Sequence, residues 1–353
     1  MTGISTRGKL IVGALGAGQI VREQHFPVLA ALQQVQLAWV ADIDQKAAGA
    51  LAQVYNCPAL NANEVSDDRL NEIDILLVAV PFGARAAYYN RLETGFSNLS
   101  LFIEKPLAKI ALEHRRIANL RPHHRVACDY FRRVNRVVRQ VKLMMAEGFW
   151  GKLRECSFGI GGVGGYSVGD KYYADPAIAG GGLLMEIGVH CLDAVLFCSG
   201  GAPVGEVAGK MITDNGIDIH TQCAARLRLG DGSDVPFNFV VSMLRETSGC
   251  LQFVFDQHTL SFSLFDDRGA EIRRNGGKSG YKIVDDAAPL SGRQTLACFW
   301  LRYLEGLTGG VPNETSAVSS LGVTQLVEAA YQLTAASTVG IPDENAVANA
   351  LSQ

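Results

Sequence analysis

Glu186 and His190 stand four residues apart, and Asp193 follows three further on. On a helix these three side chains share one face. Histidine titrates near neutrality, so it can take the proton of a reacting hydroxyl or return it. A neighbouring carboxylate can fix the orientation of its ring. Far upstream, Glu104-Lys105-Pro106 closes an apolar run. The proline restricts the Lys105 backbone and sets a turn, so an ammonium is presented where the chain leaves a strand. An ammonium and a histidine together can polarise a carbinol or carbonyl oxygen and move its proton. That is the acid–base half of a hydride transfer. Plainer readings compete: a solvated Lys–Glu pair, a satisfied structural histidine, or carboxylates that only brace the preceding loop. A metal on Glu186, His190 and Asp193 would lack any further ligand cluster in the sequence, so none is expected.

A dinucleotide would supply the other half. Gly16-Ala17-Gly18-Gln19-Ile20-Val21 follows the apolar run Lys9–Leu15 and opens a helix. The first glycine of such a loop makes the tight turn, and the second admits a pyrophosphate to the backbone. The helix N-terminus then offers free N–H groups. Val21 stands where a third glycine is usual, which widens the helix–strand contact. Asp42 ends the second strand. A carboxylate there accepts hydrogen bonds from an adenosine ribose and repels a 2′-phosphate, so NAD is expected over NADP. The alternatives are an ordinary tight βα turn and a turn or N-cap aspartate.

The elements that must position these groups alternate in the first third of the chain. Strand-like runs at 9–15, 36–41, 73–80, 99–103 and 125–130 are separated by helical segments. Such alternation implies parallel βαβ units. Pro27 interrupts the first helix, and His25 beside it reads as a packing residue. From 204 to 285, short apolar runs sit between polar turns, which suggests an antiparallel sheet. Helical character returns at 295–307 and 316–338. The expected fold is an α/β Rossmann domain with a parallel sheet over 1–128. An α+β domain over 129–353, with a large open antiparallel sheet, would bind substrate and mediate oligomerisation. The 353 residues suit two domains. With 32 basic and 35 acidic residues the net charge is -3, which gives no global pull toward nucleic acid or an anionic membrane. No apolar run reaches the ~18 residues of a membrane span. The eight cysteines form no Cys-x-x-Cys pair, so a reduced, cytoplasmic protein is expected.

The ordered motifs resemble those of the glucose–fructose oxidoreductase, inositol dehydrogenase and rhizopine-catabolism (Gfo/Idh/MocA) family. They are Gly16–Ile20, His25-Phe26-Pro27, Asp42, Val80-Pro81, Glu104-Lys105-Pro106, Glu147–Leu153 and Gly180-Gly181-Gly182 running on to Glu186, His190 and Asp193. The resemblance covers nearly the whole chain. It implies NAD(P)-dependent hydride transfer at a carbinol carbon of a sugar, cyclitol or related polyol, by a homodimer or homotetramer. The family carries Asp where this chain has Glu186, which leaves that carboxylate's role open. A non-catalytic NAD(P)-binding regulator of sugar metabolism is the alternative function. The candidate catalytic residues are Lys105, His190 and Glu186. The candidate cofactor contacts are Gly16, Gly18, Gln19, Ile20, Asp42, Pro81, Glu104 and Lys105. The candidate substrate contacts are Tyr130, Arg132, Tyr166, Tyr173 and Asp193. Arg85 could meet a phosphate or a substrate anion, or only cover the surface.

Overall fold

A computed structural model describes residues 8–163, 180–266, 269–277, 280–283 and 289–336. Among these, six short parallel strands form the first sheet: β1 (Leu10–Leu15), β2 (Val35–Asp42), β3 (Ala59–Asn61), β4 (Ile75–Val78), β5 (Ser100–Ile103) and β6 (Val126–Cys128). Their order is β3-β2-β1-β4-β5-β6. The order reverses between β1 and β4, so the crevice beyond their carboxyl ends is the topological switch point where such sheets bind ligands. β4 and β5 are buried throughout, as expected of strands covered on both faces.

The first crossover is not one uniform helix. A π-helical turn at Val21–His25 precedes α1 (Phe26–Ala31). Pro27 therefore falls where the π turn passes into the α segment. The interruption expected from Pro27 is thus a change of helical pitch rather than a break.

Beyond β6 the described residues build a second sheet of eight strands: β7 (Leu153–Gly161), β8 (Ala202–Asp214), β9 (Ile217–Arg228), β10 (Asp234–Ser242), β11 (Leu251–Phe255), β12 (His258–Phe262), β13 (Ala270–Arg274) and β14 (Gly280–Ile283), ordered β14-β13-β12-β11-β7-β10-β9-β8. It is mostly antiparallel, but β7 (Leu153–Gly161) and β10 (Asp234–Ser242) run parallel. β9 (Ile217–Arg228) alternates cleanly: Cys223, Ala225 and Leu227 are buried, while Gln222, Arg226 and Arg228 face solvent. The inward face carries stacked aromatic rings, among them Phe158 on Phe239 at 5.6 Å. A second π-helical turn, Leu184–Gly188, leads into a helix at Val189–Ser199 that lies under this domain.

A later helix, Gly292–Gly309, returns to the first sheet. Ser291 and Gln294 close a capping box at its start. Its Trp300 stacks on Phe102 of β5 at 3.7 Å, and the Tyr303 hydroxyl donates to the Leu101 and Arg125 carbonyls. The apolar core of the nucleotide-type sheet is therefore completed by residues some 170 positions beyond its last strand. No described helix is long and apolar enough to cross a membrane.

Candidate active site

The glycine loop is shaped by two different demands. Gly16 has φ +107°, and a Cβ there would lie 2.5 Å from the Ala79 carbonyl oxygen. Only glycine fits against the end of β4. Gly18 is different: it is exposed, and a Cβ there would meet nothing within 4 Å. The protein's own packing does not require glycine at 18. That open space beside a helix start is what a dinucleotide pyrophosphate needs. Asp42 accepts from the backbone N–H groups of Ala17 at 2.6 Å and Asp44 at 2.8 Å. It therefore ties the loop to β2, and the spare lone pairs of its carboxylate suit a ribose hydroxyl. Gln19 reaches sideways to Glu23 at 3.0 Å, and Ile20 is partly exposed at the loop's edge. Pro81 ends the β4 exit.

Lys105 and Glu186 meet across the domain boundary. Lys105 Nζ donates to the Glu186 carbonyl at 2.8 Å and to Oε2 at 3.3 Å. Lys105 lies just beyond β5, and its bond to Pro106 is cis. Glu186 sits in the second π-helical turn, whose entry is locked from below. Asp218 of β9 accepts from the N–H groups of Gly182 at 2.5 Å and Leu184 at 2.7 Å, and from the Tyr331 hydroxyl. Gly182 presses so closely on β9 that a Cβ would fall 2.3 Å from the Asp218 carbonyl. His190 follows on the same helical run. Its Nδ1 is buried without a hydrogen-bond partner. Burial, then the positive charges of Lys105 and Arg132, hold its pKa well below the ordinary value. The ring is therefore neutral at pH 7.

Behind Lys105 lies a buried cluster that the motifs did not announce. His25 Nε2 sits 2.7 Å from Glu104 Oε1 and 3.6 Å from Asp129 Oδ2. Trp300 Nε1–H donates to His25 Nδ1 at 3.1 Å. That donor occupies the Nδ1 lone pair, so the ring proton resides on Nε2 and points at Glu104. Three potential ligand atoms converge here. The protonated Nε2 nevertheless has no lone pair for a metal, and the arrangement is a hydrogen-bonded one. The two carboxyls divide their ionisation. Burial raises Glu104, but the hydrogen bond from His25, with the charges of Lys105 and Arg85, outweighs it and holds it below the usual range. Burial, then the charge and hydrogen bond of Glu104, push Asp129 well above its usual range. Glu104 Oε2 also accepts the backbone N–H of Lys105 at 3.1 Å. Glu104 thus anchors the very residue that presents the ammonium. The sequence offered one signal, a carboxylate at the carboxyl end of β6; it gave none for Trp300.

Several expected substrate contacts lie elsewhere. Both Asp193 oxygens are taken by Arg133, at 2.8 and 2.5 Å, in a pair that is 97% buried on each side. Asp193 is a core counter-ion, not a surface acceptor, because it faces inward from a helix buried all round. Tyr130 is also buried; its ring meets His190 edge-on at 6.3 Å and backs that residue rather than lining a surface. Arg85 is buried and binds the carbonyls of Val80, Glu104 and Pro106, so it splices the β4 and β5 exits together. Arg132 does face the neighbourhood of His190. Tyr166 and Tyr173 fall outside the described residues.

Fold and site together define a dinucleotide-binding Rossmann protein whose second domain brings a histidine and a carboxylate to the first domain's lysine. The chain belongs to the Gfo/Idh/MocA family. Residues 10–129 match the oxidoreductase family with NAD-binding Rossmann fold, and residues 138–260 match the GFO/IDH/MocA C-terminal domain. A D-glucoside 3-dehydrogenase of Escherichia coli K12 is 27% identical over 222 residues, which is 57% of each chain. The match thus spans little more than half of that relative's length. Two solved structures share the fold. An aldose–aldose oxidoreductase from Caulobacter crescentus, complexed with glycerol, has TM-score 0.76 at 17% identity, over 94% of this chain and 100% of that one. A UDP-N-acetylglucosamine 3-dehydrogenase from Acidithiobacillus ferrooxidans has TM-score 0.69 at 18% identity, over 92% and 97%.

Proposed function

We propose that this oxidoreductase uses NAD(P) to transfer a hydride to or from a carbinol carbon of a sugar, cyclitol or sugar derivative. One observation carries the reading: Lys105 from one domain and Glu186 from the other meet beside a neutral, buried His190. When bound, the nicotinamide dinucleotide accepts or supplies the hydride. Gly16, Gly18 and the start of the first helix would hold its pyrophosphate, and Asp42 its ribose. The Asp42 carboxylate favours NAD over a 2′-phosphorylated cofactor. Lys105 donates to the reacting oxygen and stabilises the charge that develops there. His190 takes the hydroxyl proton during oxidation and returns it during reduction. Glu186 keeps the ammonium aimed. The same reading makes the protein a cytoplasmic homodimer or homotetramer, joined through the outward face of its eight-stranded sheet.

Titration with NADH and NADPH, followed by nicotinamide fluorescence, tests the cofactor; NADH is expected to bind more tightly. Reduction of NAD by a panel of polyols then tests the chemistry. Lys105→Ala and His190→Ala should each lower kcat/KM by roughly 10²–10⁴-fold on whichever polyol reacts. Near-normal turnover in both variants would refute the mechanism. Tight cofactor binding with no turnover on any polyol would instead favour the regulator.

A further inference from the structure

Arg132 and Arg133 are neighbours with opposite circumstances. Arg133 has a buried carboxylate gripping its guanidinium from Asp193. Among the described residues Arg132 has no carboxylate partner. Its guanidinium lies over the rings of Phe131, at 5.2 Å, and Phe265, at 4.4 Å. One nitrogen, Nη1, donates to the Leu264 carbonyl at 3.3 Å, while Nε is buried with no acceptor. Stacking on aromatic faces offsets part of the cost of desolvating a cation. It does not replace the counter-ion that a buried charge ordinarily finds.

The surroundings say where the missing partner would come from. Phe131, one of those two rings, meets the His190 ring edge-on at 5.9 Å. The positive charge of Arg132 is felt at His190. The buried side-chain atoms without hydrogen-bond partners in the described residues include Arg132 Nε and His190 Nδ1, whose residues both pack against that phenylalanine. An unmet donor and an unmet ring nitrogen therefore belong to two residues that share one phenylalanine, and His190 also feels the charge of Lys105. Two aromatic faces fix the guanidinium plane. A planar fork so held matches a carboxylate, which it can bind through two parallel hydrogen bonds.

We propose that Arg132 is the carboxylate-recognition element of the substrate cleft, and that the preferred substrate is an acidic sugar such as a uronate or aldonate. This rests on the oxidoreductase reading of the Lys105–His190 site and narrows its substrate class.

The test uses the full-length protein with NAD. Initial rates are measured for D-glucuronate, D-gluconate, D-glucose, methyl glucoside and D-glucose 6-phosphate, and calorimetry follows the binding of each to the NAD-loaded protein. The better acid should exceed glucose in kcat/KM by on the order of 10- to 100-fold. Arg132→Met should bring that ratio close to one, and Arg132→Lys, which keeps the charge but loses the fork, should fall between. Near-ultraviolet circular dichroism checks that the variants keep their packing. A wild-type preference for neutral sugars overturns the proposal, as does a preference for the 6-phosphate alone, or an acid-to-neutral ratio that Arg132→Met leaves unchanged. If neutral sugars reduce NAD and acids neither bind nor react, the anion site falls and the dehydrogenase reading survives. If an acid binds through Arg132 but no polyol reduces NAD, the anion site stands and hydride transfer falls.

Discussion

Alanine at Gly16 and alanine at Gly18 should do opposite things, although the two residues stand in one loop. At Gly16 the backbone has φ +107°, and the added Cβ would lie 2.5 Å from the Ala79 carbonyl oxygen and 2.8 Å from its carbon. Those are main-chain atoms at the end of a buried strand, so no rotamer change can relieve the overlap. The strained dihedral alone costs on the order of 1–3 kcal/mol. Adding the displaced β4 exit, Gly16→Ala should lose roughly 3–5 kcal/mol of stability. At Gly18 no positive φ is required and the new methyl meets nothing within 4 Å. Gly18→Ala should therefore fold within about 0.5 kcal/mol of the parent. Its methyl projects instead into the space assigned to the pyrophosphate, and NADH affinity should fall by at least about tenfold, or ~1.4 kcal/mol. Urea unfolding monitored by tryptophan fluorescence reads the first quantity, and NADH titration reads the second. A Gly18→Ala protein that folds normally and binds NADH as well as the parent would refute the assignment of the loop. Equal destabilisation by the two substitutions would refute the geometric argument behind it.

Two further outcomes follow from charge. An ordinary histidine is half protonated near pH 6.5. Burial, then Lys105 and Arg132, lower the His190 pKa well below that, so alcohol oxidation should show no acid limb near pH 6.5 and should fall only in more acidic solution. The unfolded chain binds the His190 proton more readily than the folded one, so this group's contribution costs stability as the pH falls below about 6.5. A pH–rate profile in kcat/KM with its acid limb at 6.5 would count against His190 as the base. Asp193→Asn removes the counter-ion of Arg133, whose side chain is 3% exposed, and should cost about 3–5 kcal/mol. Chemical denaturation measures that loss. KM at a temperature where the variant stays folded should be unchanged, whereas a raised KM would return Asp193 to the substrate site.

The Rossmann half was legible because its signals are local. The run before Gly16, the glycine spacing, Asp42 and the prolines after β4 and β5 each report on their own few residues, and parallel order follows from alternation. Lys105 and Glu186 were legible as residue types, but their meeting was not, since nothing in either motif encodes a distance across 81 positions. His25 was legible only as a packing residue, because its partners Glu104, Asp129 and Trp300 come from three distant segments. Asp193 misled for a related reason. Helical spacing puts it near the face of Glu186 and His190, but the helix is buried all round, and a buried carboxylate takes whichever cation is closest. The two π-helical turns also escaped the sequence, since a one-residue widening leaves apolar periodicity almost unaltered.

The two domains prepare their contributions separately before they meet. In the first, the backbone N–H of Lys105 is held by Glu104, Glu104 by His25, and His25 by Trp300, so the lysine's departure from β5 is fixed by three linked side chains. In the second, Asp218 takes the Gly182 and Leu184 N–H groups and the Tyr331 hydroxyl, which fixes the turn that carries Glu186. Each network is buried and polar, where a half-satisfied member is costly and a satisfied set defines one geometry. The contact between the networks is of another kind. Lys105 is joined to Glu186 through a long, flexible side chain whose partner carboxylate is 34% exposed. A substrate oxygen can compete for that ammonium at little cost, whereas it could not displace Glu104 from His25 without leaving buried donors and acceptors unpaired. Rigidity lies behind the lysine and exchangeability in front of it, which is the order that proton handling at a substrate oxygen requires.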